Sequence, residues 1–237
     1  MATRLLNTMK ATQNVLLFLT FLTSCLAIAL LAASLGTESW IVSDAQRPSN
    51  PKAQGTINFG LFHGTRRLNH GFGERIYPMN VFQVQYREQN FMIRELYVTT
   101  IVCVGVAILF GLISGSLALY NISTIPSEAV CHYPGLVAFN VIGFLSSLVA
   151  IITWIIQYFI KFRGNVLIRE DQLNGGWKSE GLASVGYSFW MVFVASVIFF
   201  LNSVIVLILQ KRFTRGRRTK NHIIDNTKPT NGNLMLY

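Results

Sequence analysis

Side chains able to do chemistry are sparse in this chain of 237 residues, and their spacing completes no reactive set. His63 and His70 come nearest, since imidazole is the commonest metal ligand. No cysteine accompanies them, and a zinc site draws on three or four donors. The three cysteines, Cys25, Cys103 and Cys131, are scattered. The sequence contains no nucleotide-binding glycine pattern, no nucleophile elbow and no zinc signature. We therefore expect no catalytic residue, no metal and no cofactor, and a protein that is not an enzyme.

Binding chemistry is better represented, at the C-terminus. Lys211, Arg212, Arg215, Arg217, Arg218 and Lys220 form a dense basic cluster. Beside a membrane such a cluster attracts anionic lipid, at about 1 kcal/mol per basic residue. Met235, Leu236 and Tyr237 end the chain as an apolar-x-apolar set with a free carboxylate. A PDZ domain captures such a terminus as an added strand. Arg217-Arg218-Thr219 is a conceivable phosphorylation site, which would oppose lipid attraction, and Cys131 a conceivable palmitoylation site. The net charge of +10 is concentrated beside the last apolar run, which argues for a lipid partner and against nucleic acid.

What positions these groups is membrane. Four apolar runs, Val15–Leu35, Leu96–Tyr120, Gly135–Ile160 and Phe189–Leu209, contain no Asp, Glu, Lys, Arg or His. A helix rises about 1.5 Å per residue, so a run of some 20 residues crosses a hydrocarbon core of about 30 Å. Charged residues make up only 13% of the chain, against about 25% in soluble domains. The first run is too long for a signal peptide, whose apolar core is about 7–15 residues. Residues 1–210 thus read as one four-span membrane domain, and 211–237 as a disordered basic tail. The absence of ionisable groups in the spans excludes proton-coupled transport and intramembrane hydrolysis.

The connectors are unequal: a first loop 36–95, a short central turn 121–134 and a second loop 161–188. Both termini share one side, and the basic tail places that side in the cytosol, with both long loops outside. The Asn121-Ile122-Ser123 sequon then lies on the cytosolic side and is expected to stay unmodified. The first loop has strand character at Trp40–Val42, Thr56–Phe62 and Ile76–Tyr86, with turns at Pro48–Pro51 and Asn69–Gly73. A small antiparallel sheet resting on the helix ends follows. It contains no cysteine, so no disulfide holds it.

Inside the bilayer, helices associate through small residues and polar contacts, because lipid tails match any apolar surface. Cys103, Ala107, Gly111 and Gly115 recur every four residues, the last two as GxxxG. They predict a helix-contact face within the chain. Asn140 and Asn202 are expected to hydrogen-bond across the bundle.

Particular segments carry a family resemblance. They are Leu35-Gly36-Thr37-Glu38-Ser39-Trp40 after the first span, Gly60-Leu61-Phe62-His63-Gly64 in the loop, and Leu119-Tyr120-Asn121 closing the second span. Gly186-Tyr187-Ser188-Phe189-Trp190 opens the fourth, and Leu234–Tyr237 ends the chain. Together they resemble the clarins, four-span proteins distantly related to the claudins, and look most like the third paralogue. The implied fold is a claudin-like all-α transmembrane four-helix bundle with a small antiparallel sheet in the first loop. Trp40, Gly60, Leu61, Phe62 and Gly64 are its outer-loop motif. Claudins carry Trp where this chain has Phe62, followed by two disulfide-bonded cysteines missing here, so paracellular sealing is not implied. The resemblance implies an organiser or scaffold of a plasma-membrane complex. The alternative is an auxiliary subunit of an ion channel or transporter.

Overall fold

The computed structural model describes residues 2–50, 52–71, 73–88, 90–123, 132–173 and 175–227, with side chains described between residues 11 and 212. Four long helices form the body: α1 (Ala2–Gly36), α3 (Arg94–Ser123), α4 (Tyr133–Gln157) and α6 (Tyr187–Thr227). Each is long and apolar enough to cross a membrane, over Ala11–Gly36, Arg94–Ser123, Tyr133–Phe162 and Tyr187–Arg212. They close a ring in which α1 packs on α3 and α6, and α4 on α3 and α6.

The ring is apolar outside and small inside. Phe18, Leu22, Val102, Leu109, Leu145, Ile152, Phe193 and Leu201 stand exposed on its outer surface. Ser24, Ala27, Ala107, Ser114, Ser147, Ala150, Ala195 and Ser203 are buried within it. Lipid solvates the former. Close backbone approach at the latter maximises dispersion contact between helices.

The short elements build a platform on the ends of the ring. Strands β1 (Ile41–Gln46), β2 (Gln54–Phe59), β3 (His63–Asn69) and β4 (Glu74–Asn80) come from the first loop, and β5 (Ala183–Val185) from the second. They form one antiparallel sheet in the order β4-β3-β2-β1-β5. Ile41, Ala45, Ile57, Phe59, Leu68 and Met79 turn inward, while Asp44, Gln46, Thr56, Arg67 and Glu74 turn outward. The second loop also supplies α5 (Arg169–Leu173).

Two expectations need correction. The third strand does not run to Tyr86: it stops at Asn80, and α2 (Val81–Arg87) follows. The Asn80 side chain accepts from Gln83 N at 3.2 Å, so a helix N-cap overrides the alternating pattern of Val81–Tyr86. The tail expected to be disordered from residue 211 is helical backbone as far as Thr227, as a continuation of α6. Adding residues to an existing helix avoids the nucleation cost, and no proline occurs there before Pro229.

Candidate functional site

Three of the resemblance-bearing segments, far apart in sequence, meet at the joint between platform and ring. The strip Thr37–Trp40 runs between two glycines. A Cβ on Gly60 would stand 2.0 Å from Thr37 O, and one on Gly186 2.0 Å from Ser39 O. Any side chain at either position would push the strip away. The backbone closes around it: Trp40 N donates to Phe59 O at 3.0 Å, Gly186 N to Trp40 O at 3.0 Å and Ser188 N to Ser39 O at 3.1 Å. The Thr37 and Ser188 hydroxyls meet at 2.7 Å.

Below the strip lies an aromatic cluster. Trp40 is fully buried; its Nε1 donates to Ser34 O at 2.6 Å and it meets Trp154 edge-on at 4.9 Å. Trp154 continues to Phe162 at 5.6 Å, Phe162 to Phe59 at 5.2 Å, and Phe59 to Phe91 at 5.5 Å. Phe162 ends a π-helical turn, Tyr158–Phe162, that closes α4. Such a turn changes the direction of the side chains that follow it, and Phe162 lies in the core rather than in lipid. The cluster joins the start, middle and end of the first loop to the end of α4 without a disulfide.

The remaining loop-motif residues divide. Leu61 is buried and its carbonyl accepts from Tyr97 Oη at 2.6 Å. Gly64 allows β3 to approach β2, where a Cβ would lie 2.5 Å from Phe59 Cβ. Phe62, the residue standing for the claudin tryptophan, is exposed at the β2–β3 turn. The second loop is locked to the first by the Arg66–Asp171 ion pair and by Arg169 N donating to Glu88 Oε2 at 3.0 Å. His63 and His70 do not converge; His70 packs edge-on against Trp177 at 5.4 Å. No cluster of His, Cys, Asp and Glu suited to a metal occurs among the described residues.

In the ring, the GxxxG face meets helices of the same chain. A Cβ on Gly111 would be 3.0 Å from both Ile28 Cγ1 and Phe199 Cζ, and one on Gly115 3.6 Å from Ser24 Cβ. Ala107 is buried between them and the platform. Gly143, which sequence reading passed over, faces the same Phe199 ring at 3.4 Å. That phenyl ring therefore fills a slot between two glycines on facing helices. Asn140 Nδ2 donates to Ser114 Oγ at 2.5 Å. Asn202 Oδ1 accepts from Thr23 Oγ1 at 2.8 Å and its Nδ2 donates to Ser24 Oγ at 3.3 Å. Thr100 and Thr153 add a hydroxyl contact at 2.9 Å.

At the far end of α6, Lys211 and Arg212 are exposed. Arg215, Arg217, Arg218 and Lys220 belong to the helix as backbone only. Cys131 and Met235, Leu236 and Tyr237 lie outside the described residues.

Four spans joined at one end by a five-stranded sheet define a multi-pass membrane protein of claudin-like architecture. Within that class the chain belongs to the clarin family: the family model described as Clarin-2-like matches residues 5–164. Its relatives include Clarin-3 of Homo sapiens, 28% identical over 220 residues, covering 90% of this chain and 94% of that protein. Clarin-3 of Rattus norvegicus is 27% identical over 200 residues, covering 78% and 81%. The matched stretch includes the Thr37–Trp40 strip and Gly60–Gly64, and ends just after the π-helical turn that carries Phe162.

Proposed function

We propose that this clarin-family protein is a non-enzymatic organiser of a plasma-membrane protein complex, with both termini cytosolic. The observation that carries the reading is the outward face of the sheet. Asp44, Gln46, Gln54, Thr56, Arg67, Asn69 and Glu74 line an open cleft of about 380 Å³ there, on the side away from the ring. A polar outer face is the ordinary solvated side of an antiparallel sheet; what suits this one to a partner is its open cleft, held rigidly above the membrane by the joint. The spans supply support: Asn140, Asn202, Thr100 and Thr153 hydrogen-bond from helix to helix within the chain, which suits a scaffold better than a conduit.

On the opposite side, the basic stretch Lys211–Lys220 would hold anionic lipid, and Met235–Tyr237 a PDZ-domain protein. Proximity labelling from a tag on the N-terminus, which leaves the Tyr237 carboxylate free, tests the topology and the tail in cells that express the protein naturally. Cytosolic neighbours that include a PDZ protein, and that disappear when Met235–Tyr237 is deleted, are expected. Mainly luminal neighbours would overturn the topology, and unchanged neighbours after deletion would remove the tail's role. A pore-forming subunit as the dominant neighbour would instead make this chain a channel's auxiliary subunit.

A further inference from the structure

The platform meets the ring at a cleft that neither the joint nor the outer sheet face explains. It measures about 650 Å³ and is lined by Phe82, Gln85 and Tyr86 of α2, Arg94, Tyr97 and Val98 at the start of α3, and Lys161 of the π-helical turn. Its position is fixed by the spans. Arg94 is the first residue of one span, and Lys161 lies one residue from the end of another. Both therefore sit at the level where lipid headgroups meet the hydrocarbon core, and neither has an ion pair among the described residues.

The walls differ in character along the cleft. Phe82 is 65% exposed, Tyr86 80% and Val98 44%. Such exposure is costly in water for aromatic rings on a short helix, and favourable against acyl chains. Val98 continues into the lipid-facing surface of α3 with Val102. At the other extreme Gln85 is only 8% exposed. Its Nε2 donates to Met92 O at 3.0 Å, while Oε1 is buried with no partner. A water or headgroup donor that reached that oxygen would satisfy it.

Charge narrows the ligand further. Two cations, Arg94 and Lys161, share the cleft with one carboxylate, Glu95. The surplus of one positive charge matches a single phosphodiester rather than a polyphosphate. A neighbouring cleft of about 810 Å³ shares Lys161 and adds Arg87 and Arg169 against Glu88, so the surrounding field is also positive. A guanidinium and an ammonium lining one cleft at headgroup depth are suited to phosphate.

We infer that this cleft holds one anionic phospholipid, selected by the site from a platform-side leaflet in which such lipid is the minority, since anionic lipid is concentrated in the cytoplasmic leaflet. The lipid's phosphate lies between Arg94 and Lys161, a headgroup hydroxyl or ammonium faces Gln85, and an acyl chain starts along Val98 beside Phe82 and Tyr86. The site is at the opposite membrane face from the basic stretch after α6, so the two separate cleanly by mutation.

The test is native mass spectrometry of the full chain in detergent, titrated with phosphatidylglycerol or with phosphatidylcholine of the same acyl chains. Preferential retention of phosphatidylglycerol is expected. Replacing both cations (R94Q with K161Q) should reduce that preference about thirtyfold, whereas K211Q with R212Q should leave a retained phosphatidylglycerol in place. Equal retention of the two lipids by the natural chain, or an unchanged preference in R94Q/K161Q, would overturn the proposal. Millimolar glycerol phosphate should not displace the lipid; full displacement would make this a site for soluble phosphate. Should R94Q/K161Q fail to fold, photoactivatable phosphatidylglycerol on the natural chain decides. Label on peptides holding residues 82–98 and 161 supports the site, and label confined to residues beyond Gln210 refutes it.

Discussion

The ring and the platform of this protein solve the same problem, holding helices and strands together without a disulfide, with opposite side chains. The platform joint uses the largest residues available: Trp40, Trp154, Phe59 and Phe162 are all essentially inaccessible. The ring uses the smallest, with Gly111, Gly115, Gly143 and several serines facing one another across helices. Water explains the difference. Trp40, Phe59 and Phe91 come from the loop, where burying an aromatic side chain gains the full hydrophobic effect, and they close over Trp154 and Phe162 at the end of the third span. Inside the bilayer, lipid already solvates apolar groups, so only close packing and hydrogen bonds remain. Glycine appears in both regions for different reasons: in the platform it lets two backbones touch, and in the ring it makes room for a ring system.

That contrast is most vulnerable at Gly60. Gly60→Ala places a methyl within 2.0 Å of Thr37 O, backbone against backbone, with no flexible side chain to yield. The expected destabilisation is upward of about 4 kcal/mol, in the range reserved for such clashes, and Gly186→Ala should behave alike. Trypsin should then cut rapidly at Arg66, Arg67 or Arg75, while far-UV circular dichroism still reports the four helices. Intact loops in both variants would mean that the strip is not clamped. Trp40→Ala comes next, at about 3–5 kcal/mol from the transfer and cavity terms together. It also frees Ser34 O, whose partner is Trp40 Nε1. Thermal unfolding of the full chain in detergent measures it, and a loss below that of a ring variant would erase the distinction between the two regions.

How much of this was visible in the sequence follows the same divide. The spans were legible because lipid demands an apolar side chain at nearly every position of some 20 residues, a signal independent of partners. The platform was legible in pieces. The first two strand segments fell close to β1 and β2, but nothing local shows that Ala183–Val185 pairs with Ile41–Ser43 across 140 residues of chain. A strand of three residues has no period to read. Similarly, Val81–Tyr86 alternates like a strand, and only the side chain of Asn80 decides otherwise. Gly186 gave no physical signal alone; it drew notice as part of a family-like segment, and its contact with Ser39 supplies the cause. Trp154 and Gly143 sit inside an apolar run in which every residue looks alike, so sequence could not single them out.

In the ring the two glycines of the GxxxG motif, equal in sequence, should separate. At Gly111 an added Cβ meets Ile28 and Phe199 at 3.0 Å, whereas at Gly115 the nearest atom is an ordinary 3.6 Å away. Gly111→Ala crowds the slot that holds Phe199 and should cost about 1–2 kcal/mol. Gly115→Ala should fall within about 0.5 kcal/mol of the natural chain. Thermal unfolding in detergent ranks them. Equal losses at both positions would indicate that the motif acts as a unit, and would place the contact face elsewhere than this slot.

The two buried amides should cost less than the residues of the joint, and their order is informative. Removing Asn202 breaks contacts at both ends of its side chain and leaves Ser24 Oγ without that donor, although Thr23 Oγ1 still has Leu19 O and Thr20 O as acceptors. Asn140 differs: its Nδ2 serves Ser114 Oγ and Leu136 O, while Oδ1 is buried with no partner. Leucine at 140 would therefore remove an unsatisfied acceptor along with two modest hydrogen bonds, and its volume suits the site. Asn202→Leu should cost about 1–2 kcal/mol and Asn140→Leu about 0.6 kcal/mol or less, within the span measured for interhelical hydrogen bonds in membranes. A double-mutant cycle of Asn202→Leu with Ser24→Ala in detergent should give a coupling of similar size. If Asn140→Leu proves the more damaging of the two, its orphan oxygen has a partner in the membrane, and polar contacts rather than small-residue packing set the stability of the α3–α4 side of the ring.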